Sequence, residues 1–467
     1  MEKRIKGFAL FLPEINELLK ENELLKEKDY SELKKLLKAV PPIDLAEGWS
    51  QFSLVDRNII FHLLERKRAI EVFEDLSFED QKILINSLES REAGEVLDEM
   101  STDERADLFD GLPEKMVKKL FSVMKREEVE DVKDLLSYKE NTAGGLMTTE
   151  FVELRKDMTA RQAILKIQES YRTYYGETIQ DVYVTNAENR LIGGLSLQAL
   201  IASPPDILLK DIMSPVQIIK INVNMHQEEV AKVFSKYDLL SAPVVDDENR
   251  LLGIITIDDI VDVIQKEATK DIYGMGKISG VERVAEIDYG KASAFTLVKN
   301  RVVWLFVLLL IGTFVSGRLL KGYSGVLQSV IALAIFIPMM MDSGGNAGAQ
   351  SLAMVVRGLA TGEVTLDQVW RIIHKEIFAG LMSGILMGII AMFSVFILQG
   401  FNLGLAFSVG FSLAIVVTVA TVTGAFLPLL FKRLGFDPAV AASPFITTVV
   451  DATGLIIYFE VAKRLVC

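Results

Sequence analysis

The 467 residues predict a multidomain membrane protein: an α-helical solenoid at the N-terminus, an α/β repeat pair after it, and an all-α transmembrane domain of five helices at the C-terminus. Three patterns carry that expectation. From Phe52 an apolar residue recurs at every twelfth position, as Leu64, Leu76, Leu88, Met100, Leu112, Met124 and Leu136. A longer block then occurs twice, and beyond residue 300 the chain becomes a series of long apolar runs.

A unit of twelve residues is too short to bury its own apolar face. The period therefore predicts one short helix per repeat, each stacked on the next, over residues 1–136. Helix starts accompany it: Ser77 and Ser101 stand where N-caps are expected, and Pro113 where a first helical turn is expected. Such a stack favours a scaffold or sensor over a catalytic centre.

The second repeat occupies residues 137–276. Leu146-Met147-Thr148, an amphipathic stretch at 159–169, an apolar run at 181–185 and Glu188-Asn189-Arg190 recur as Ile212-Met213-Ser214, 227–237, 242–245 and Glu248-Asn249-Arg250. The pattern resembles a tandem pair of CBS domains, α/β units that pair across a pseudo-twofold axis and often host adenine nucleotides. In that family a Gly-x-x-Ser/Thr-x-x-Asp ending supplies a hydroxyl to phosphate and a carboxylate to ribose. The second copy keeps Gly253, Thr256 and Asp259, whereas the first reads Gly193, Ser196 and Ala199 and has lost the carboxylate. ATP is expected to bind weakly or not at all.

The apolar runs fall at 302–315, 326–341, 377–398, 403–430 and 444–465, near or above the roughly 20 residues that cross hydrocarbon. The first 290 residues hold no comparable run and no signal peptide. The N-terminal part is therefore expected in the cytoplasm, with the spans in the cell (inner) membrane and Cys467 outside. Basic residues concentrate at the ends that this orientation makes cytoplasmic. Residues 291–467 carry a net charge of +5, which leaves −18 for residues 1–290. So acidic a soluble part repels nucleic acid and attracts divalent cations. The single cysteine excludes an intrachain disulfide and a thiolate metal cluster. No Walker sequence, nucleophile elbow or zinc-ligand spacing is present, which argues against an enzyme.

Asp451 lies in the middle of the last run. An aspartate at membrane depth costs at least about 2.5 to 3.5 kcal/mol, so it faces a partner or a water-filled path. Every Lys and Arg of these segments falls near an end, as Lys463 and Arg464 do, which favours the path and points to a cation route. Asn346 and Gln350 lie four apart on one helical face and offer amide oxygens to a hydrated ion. Gly344, Gly345 and Gly348 are expected to let the backbone bend and turn carbonyls toward a lumen. Gly380, Gly384 and Gly388, at four-residue spacing, read as helix packing. His374 and Glu376 are expected at a solvated loop end, and Trp304 and Trp370 in the aromatic belt.

Acidic solenoid, CBS pair and five-span domain together resemble the MgtE family of magnesium channels and transporters over essentially the whole chain. The specific motifs are residues 336–351, 356–363, Asp437-Pro438 and 447–454. The resemblance implies a homodimer in a lipid bilayer, with two copies of Asp451 facing each other and repelling until a divalent cation enters. Mg²⁺ suits such a pore, because it keeps several waters and is held by few carboxylates. Ser443 and Thr447 complete the implied ion-binding set with Asn346, Gln350 and Asp451. Regulatory cytoplasmic Mg²⁺ is implied at Glu228, Asp238, Asp259, Asp262, Glu267, Asp271 and Asp437, closing the pore through a connecting helix at about 289–301. Lys266 and Lys270 depart from the acidic run expected there, which predicts sensing that is weaker or shifted to other residues. The alternative is a secondary transporter exchanging H⁺ or Na⁺ for divalent cations, although no clear inverted repeat spans the five segments.

Overall fold

The structure, a computed structural model, describes residues 11–25, 30–173, 181–214, 219–278 and 292–466. The chain forms two compact units, Met1–Val261 and Asp262–Cys467.

The first unit begins with ten short helices: α1 (Leu12–Leu25), α2 (Ser31–Ala39), α3 (Pro42–Glu47), α4 (Leu54–Leu63), α5 (Arg66–Glu74), α6 (Phe78–Ser87), α7 (Ser90–Glu99), α8 (Thr102–Asp110), α9 (Glu114–Phe121) and α10 (Arg126–Leu135). From α4 onward each repeat is one helix of eight to ten residues and a short turn, which is the physical origin of the twelve-residue period. Leu64, Leu88 and Met100 sit at C-caps in extended conformation and turn into the core. Leu136 breaks the pattern: its cap is helical, and the side chain stays 37% exposed.

Ser53 and Ser77 cap α4 and α6 by accepting from the amides of Asp56 and Asp80. Ser101 does not cap α8. Its amide and hydroxyl both donate to Glu74 Oε1, at 2.8 and 3.2 Å. Pro113 is itself the N-cap of α9, one residue outside the helix. Polar rungs recur along the stack: Arg57 pairs with Asp80 at 2.7 Å and Arg105 with Glu128, while Asp98 accepts from the Lys125 amide at 3.0 Å as Glu74 does from Ser101.

Next come α11 (Ala143–Leu146), β1 (Glu153–Arg155), α12 (Ala160–Thr173), β2 (Asp181–Thr185), β3 (Leu191–Ser196), α13 (Leu197–Ala202), α14 (Leu209–Ile212), β4 (Ile221–Asn222), α15 (Gln227–Tyr237), β5 (Ser241–Val245), β6 (Leu251–Thr256) and α16 (Ile257–Met275). The two sheets share one plan, first strand parallel to the second and second antiparallel to the third. Their contacts are reciprocal: the Leu191 amide donates to the Asn249 carbonyl at 2.9 Å, and the Leu251 amide to the Asn189 carbonyl at 3.0 Å. Both asparagines adopt left-handed φ, 59° and 66°, which Asn tolerates better than other side chains. The pseudo-twofold pairing expected from the repeat is present.

The second unit holds the rest of α16, then α17 (Ala294–Gly322), α18 (Ser324–Ser329), α19 (Leu333–Thr361), α20 (Val369–Phe393), α21 (Leu403–Arg433) and α22 (Pro438–Leu465). Among the described residues four helices are long and apolar enough to cross a membrane, carried by α17, α20, α21 and α22. The expected run at 326–341 is not one span. It splits at Val330 into α18 and the start of α19, whose 29 residues (about 43 Å at 1.5 Å each) also contain the whole polar, glycine-rich motif. Among the described residues five long helices thus build the bundle, and α19, with the polar motif in its middle, is the least apolar over a membrane length. Of the expected connecting helix, residues 294–301 are the start of the unbroken α17, with Ser293 as N-cap; residues 289–291 lie outside the described residues.

Close helix packing uses glycine where no side chain would fit. A Cβ on Gly384 would lie 2.4 Å from the Ala414 carbonyl oxygen, and one on Gly388 2.5 Å from that of Gly410, so α20 and α21 meet backbone to backbone. Gly344 and Gly348 serve the same purpose against Val416, Ala420 and Val450. They do not unwind the helix: α19 runs through them as regular α-helix, so its carbonyls remain in intrahelical bonds and do not line a lumen.

Candidate ion site

Asp451 lies near the midpoint of α22, with Thr447 one turn earlier on the same face. The two residues meet a cation from outside the spans. Beyond α16 the chain turns through Gly276 and Lys277, and Lys277 Nζ donates to Thr447 Oγ1 at 3.2 Å with its charge felt by Asp451. The sequence expectation of no basic partner for Asp451 fails at the segment that precedes the spans. Met275 packs with Leu352, Val356, Ala439 and Ile446 and seats the end of α16 on this part of the bundle. The side chain of Ser443 lies outside the described residues.

Asn346 and Gln350 occupy an exposed face of α19, and Asp342 precedes them by one turn. This face is opposite the one on which Gly344 and Gly348 close against α21 and α22. Among the described residues none of the three makes a hydrogen bond or ion pair, so their oxygens are available to a hydrated cation. Asp342 was legible as an acidic letter within the motif; its spacing of four from Asn346 was the signal that puts it on the same face. Glu376 corrects a second expectation. It lies within α20 and accepts from the buried Ser351 hydroxyl at 2.9 Å, tying α19 to α20, because the helix begins at Val369, before the apolar run does. His374 lies in the same helix, its Nδ1 within 2.6 Å of the Trp370 carbonyl.

The soluble unit builds a separate acidic site. Asp259 lies in the first turn of α16 and accepts from Thr256 Oγ1 at 2.9 Å. Burial and the nearby Asp103 charge push its carboxyl up to about 7. Asp103, in the first turn of α8, is raised to about 6 chiefly by burial, and its Oδ1 is buried without a hydrogen-bond partner. Glu104 and Glu74 are raised too, mainly by desolvation. The excess negative charge therefore joins the helical stack to the second CBS repeat, which no single-segment motif foretold. The other implied regulatory carboxylates are spoken for differently: Glu228 pairs with Lys232 at 2.7 Å, Glu267 with Lys270 at 2.9 Å, Asp437 accepts from the Ala439 amide at 2.8 Å, and Asp238 is the left-handed C-cap of α15. Asp262 and Asp271 lie on α16. No group of three or more His, Cys, Asp or Glu side chains is set to hold a metal among the described residues.

A bundle of membrane-length helices with a carboxylate at the middle of one of them, carried by the same chain as a helical stack and paired CBS domains, belongs to the class of multi-pass membrane proteins with soluble modules. Family models match at residues 337–461 (MgtE, divalent cation transporter), 40–141 (MgtE intracellular N domain) and 209–266 (CBS domain). The chain is 36% identical over 446 residues to the magnesium transporter MgtE of Thermus thermophilus, covering 95% of this chain and 97% of that one. It is 40% identical over 332 residues to the MgtE of Enterococcus faecalis, covering 71% of each. A solved cytosolic domain of the Mg²⁺ channel MgtE in complex with ATP is 33% identical, covers 52% of this chain and 98% of its own, and superposes with a TM-score of 0.48. The chain belongs to the MgtE family.

Proposed function

We propose that the protein carries Mg²⁺ across the cell membrane, as a homodimer with its soluble unit in the cytoplasm and its C-terminus outside. The ion's route passes the polar face of α19 (Asp342, Asn346, Gln350) and the Thr447–Asp451 turn of α22. The observation that carries the reading is the placement of Asp451 at the middle of a membrane-length helix beside a hydroxyl, where a carboxylate is costly unless cations are its customary neighbours. A divalent ion is favoured over K⁺ because few fixed oxygens, with retained water, satisfy Mg²⁺. Cytoplasmic Mg²⁺ regulates transport through the acidic site around Asp103 and Asp259, where desolvated carboxylates gain most from a neutralising cation.

The test is Mg²⁺ uptake into liposomes with no imposed H⁺ or Na⁺ gradient. Wild-type flux under those conditions supports a channel over an exchanger. Asp451→Ala is expected to abolish Mg²⁺ flux or its selectivity while leaving the protein folded. Unchanged uptake would refute the route.

A further inference from the structure

Lys277 combines three observations that its sequence context does not explain. Its Nζ reaches Thr447 Oγ1 at 3.2 Å and interacts electrostatically with Asp451. Its backbone adopts φ +60°, a left-handed conformation that a lysine takes at a cost of about 1 kcal/mol or more. Its side chain gives up solvent, and that burial lowers the ammonium's pKa while the Asp451 charge opposes the shift. A flexible lysine at a helix end ordinarily extends into water. Here the α16 terminus is held by backbone bonds from the Lys277 and Ile278 amides to Gly274 and Tyr273, at 3.0 and 3.1 Å, and the side chain is aimed into the bundle.

We propose that Lys277 is a built-in cation for the Asp451 site: its ammonium takes the place of the transported ion beside Thr447 and Asp451, so that Lys277 docking and ion occupancy exclude one another. The inference rests on the reading of Asp451 as the ion-binding carboxylate. An ammonium is compact, singly charged and a donor of three hydrogen bonds, so it satisfies a hydroxyl and a carboxylate together much as a hydrated cation would. Being tethered, it competes at a high effective concentration that does not vary with bulk salt. A divalent ion displaces it by the larger charge it brings to the same oxygens, and the freed lysine returns to water.

Mg²⁺ flux of the full-length protein in liposomes, measured against Mg²⁺ concentration, tests this. Lys277→Met keeps the length of the side chain and removes the charge. If the lysine holds the site nine-tenths of the time, its removal raises the apparent Mg²⁺ affinity about tenfold. Lys277→Gly removes the charge and the backbone strain together and is expected to match Lys277→Met. A Met variant with the wild-type curve overturns the proposal, as does a shift confined to the Gly variant, which would assign the effect to the backbone. Asp451→Asn separates the two readings: Lys277→Met should add nothing in that background. Loss of flux in Asp451→Asn alongside an unresponsive Lys277→Met sinks the tethered cation and leaves the route standing, whereas normal flux in Asp451→Asn sinks the route itself.

Discussion

Asp103→Asn should make the soluble unit less sensitive to pH and to Mg²⁺. Asp103 is raised from an ordinary value of 3.8 to about 6, first by burial, and its Oδ1 has no partner to repay the lost hydration. A group that binds its proton more tightly in the folded state than in the unfolded chain contributes stability that is complete below about pH 4 and is lost as pH rises through about 6. At roughly 1.4 kcal/mol per unit, ionising Asp103 costs the folded state up to about 3 kcal/mol. Asp259, raised to about 7, extends the loss toward neutral pH. Wild type should therefore lose stability between pH 5 and 8 in the absence of Mg²⁺ and regain it when Mg²⁺ is added at pH 8. In Asp103→Asn the pH dependence should flatten by about 1 to 3 kcal/mol and the Mg²⁺ gain should shrink. Trp49 is fully buried in the helical stack and reports its unfolding directly. Denaturant titrations of the full chain in detergent, with Trp304 and Trp370 replaced by Phe so that Trp49 alone emits, give the comparison. Parallel pH curves for wild type and Asp103→Asn would show that this carboxylate carries no strain.

Gly384→Ala would place a methyl 2.4 Å from the Ala414 carbonyl oxygen, where neither backbone can yield, and should lower the melting temperature by the equivalent of about 1 to 3 kcal/mol; Gly345→Ala, with nothing within 4 Å, should leave it unchanged in the same thermal scan. Asp342→Asn should weaken half-saturation of Mg²⁺ flux from the outer side while leaving Asp451-dependent selectivity in place, and a concentration series in liposomes reads this. ATP should show weak or no heat of binding in calorimetry of the detergent-solubilised protein, since Ala199 offers no carboxylate, Ser196 caps α13, and Thr256 and Asp259 are bonded to each other; a micromolar dissociation constant would contradict it.

The period-twelve apolar ladder and the doubled α/β block were legible because each is a local pattern that folding preserves. Seven of the eight ladder residues are buried, and the Gln227–Tyr237 helix and Asp181–Thr185 strand fall where the repeat puts them. The polar span was harder. Residues 326–341 look like one apolar crossing, yet Val330 breaks the helix and the motif beyond Met341 extends it, because bundle packing through Gly344 and Gly348 stabilises helix in a segment whose composition argues for loop. The glycines were read as hinges and serve as contact surfaces. At the candidate site, Asp451, Asn346 and Gln350 could be picked out singly from chemistry and spacing. The approach of Lys277 to Thr447 joins residues 170 apart in the chain, and the Asp103–Asp259 cluster joins two domains. Neither has a periodic trace in the sequence.

The polar rungs of the helical stack obey a longer count than its apolar ladder. Arg57 with Asp80 and Arg105 with Glu128 are the same bond moved along the chain, as are the Glu74–Ser101 and Asp98–Lys125 amide contacts. The first couple is shifted by four apolar periods and the second by two. Both shifts are whole multiples of two helices, and the arginine pair, with Gln81 standing two periods after Arg57, returns only after four. Losing one helix would leave every apolar residue in phase while bringing each arginine and carboxylate opposite a stranger. Losing two helices would keep the apolar ladder and the amide contacts in step, and only the loss of four would return every arginine to its carboxylate.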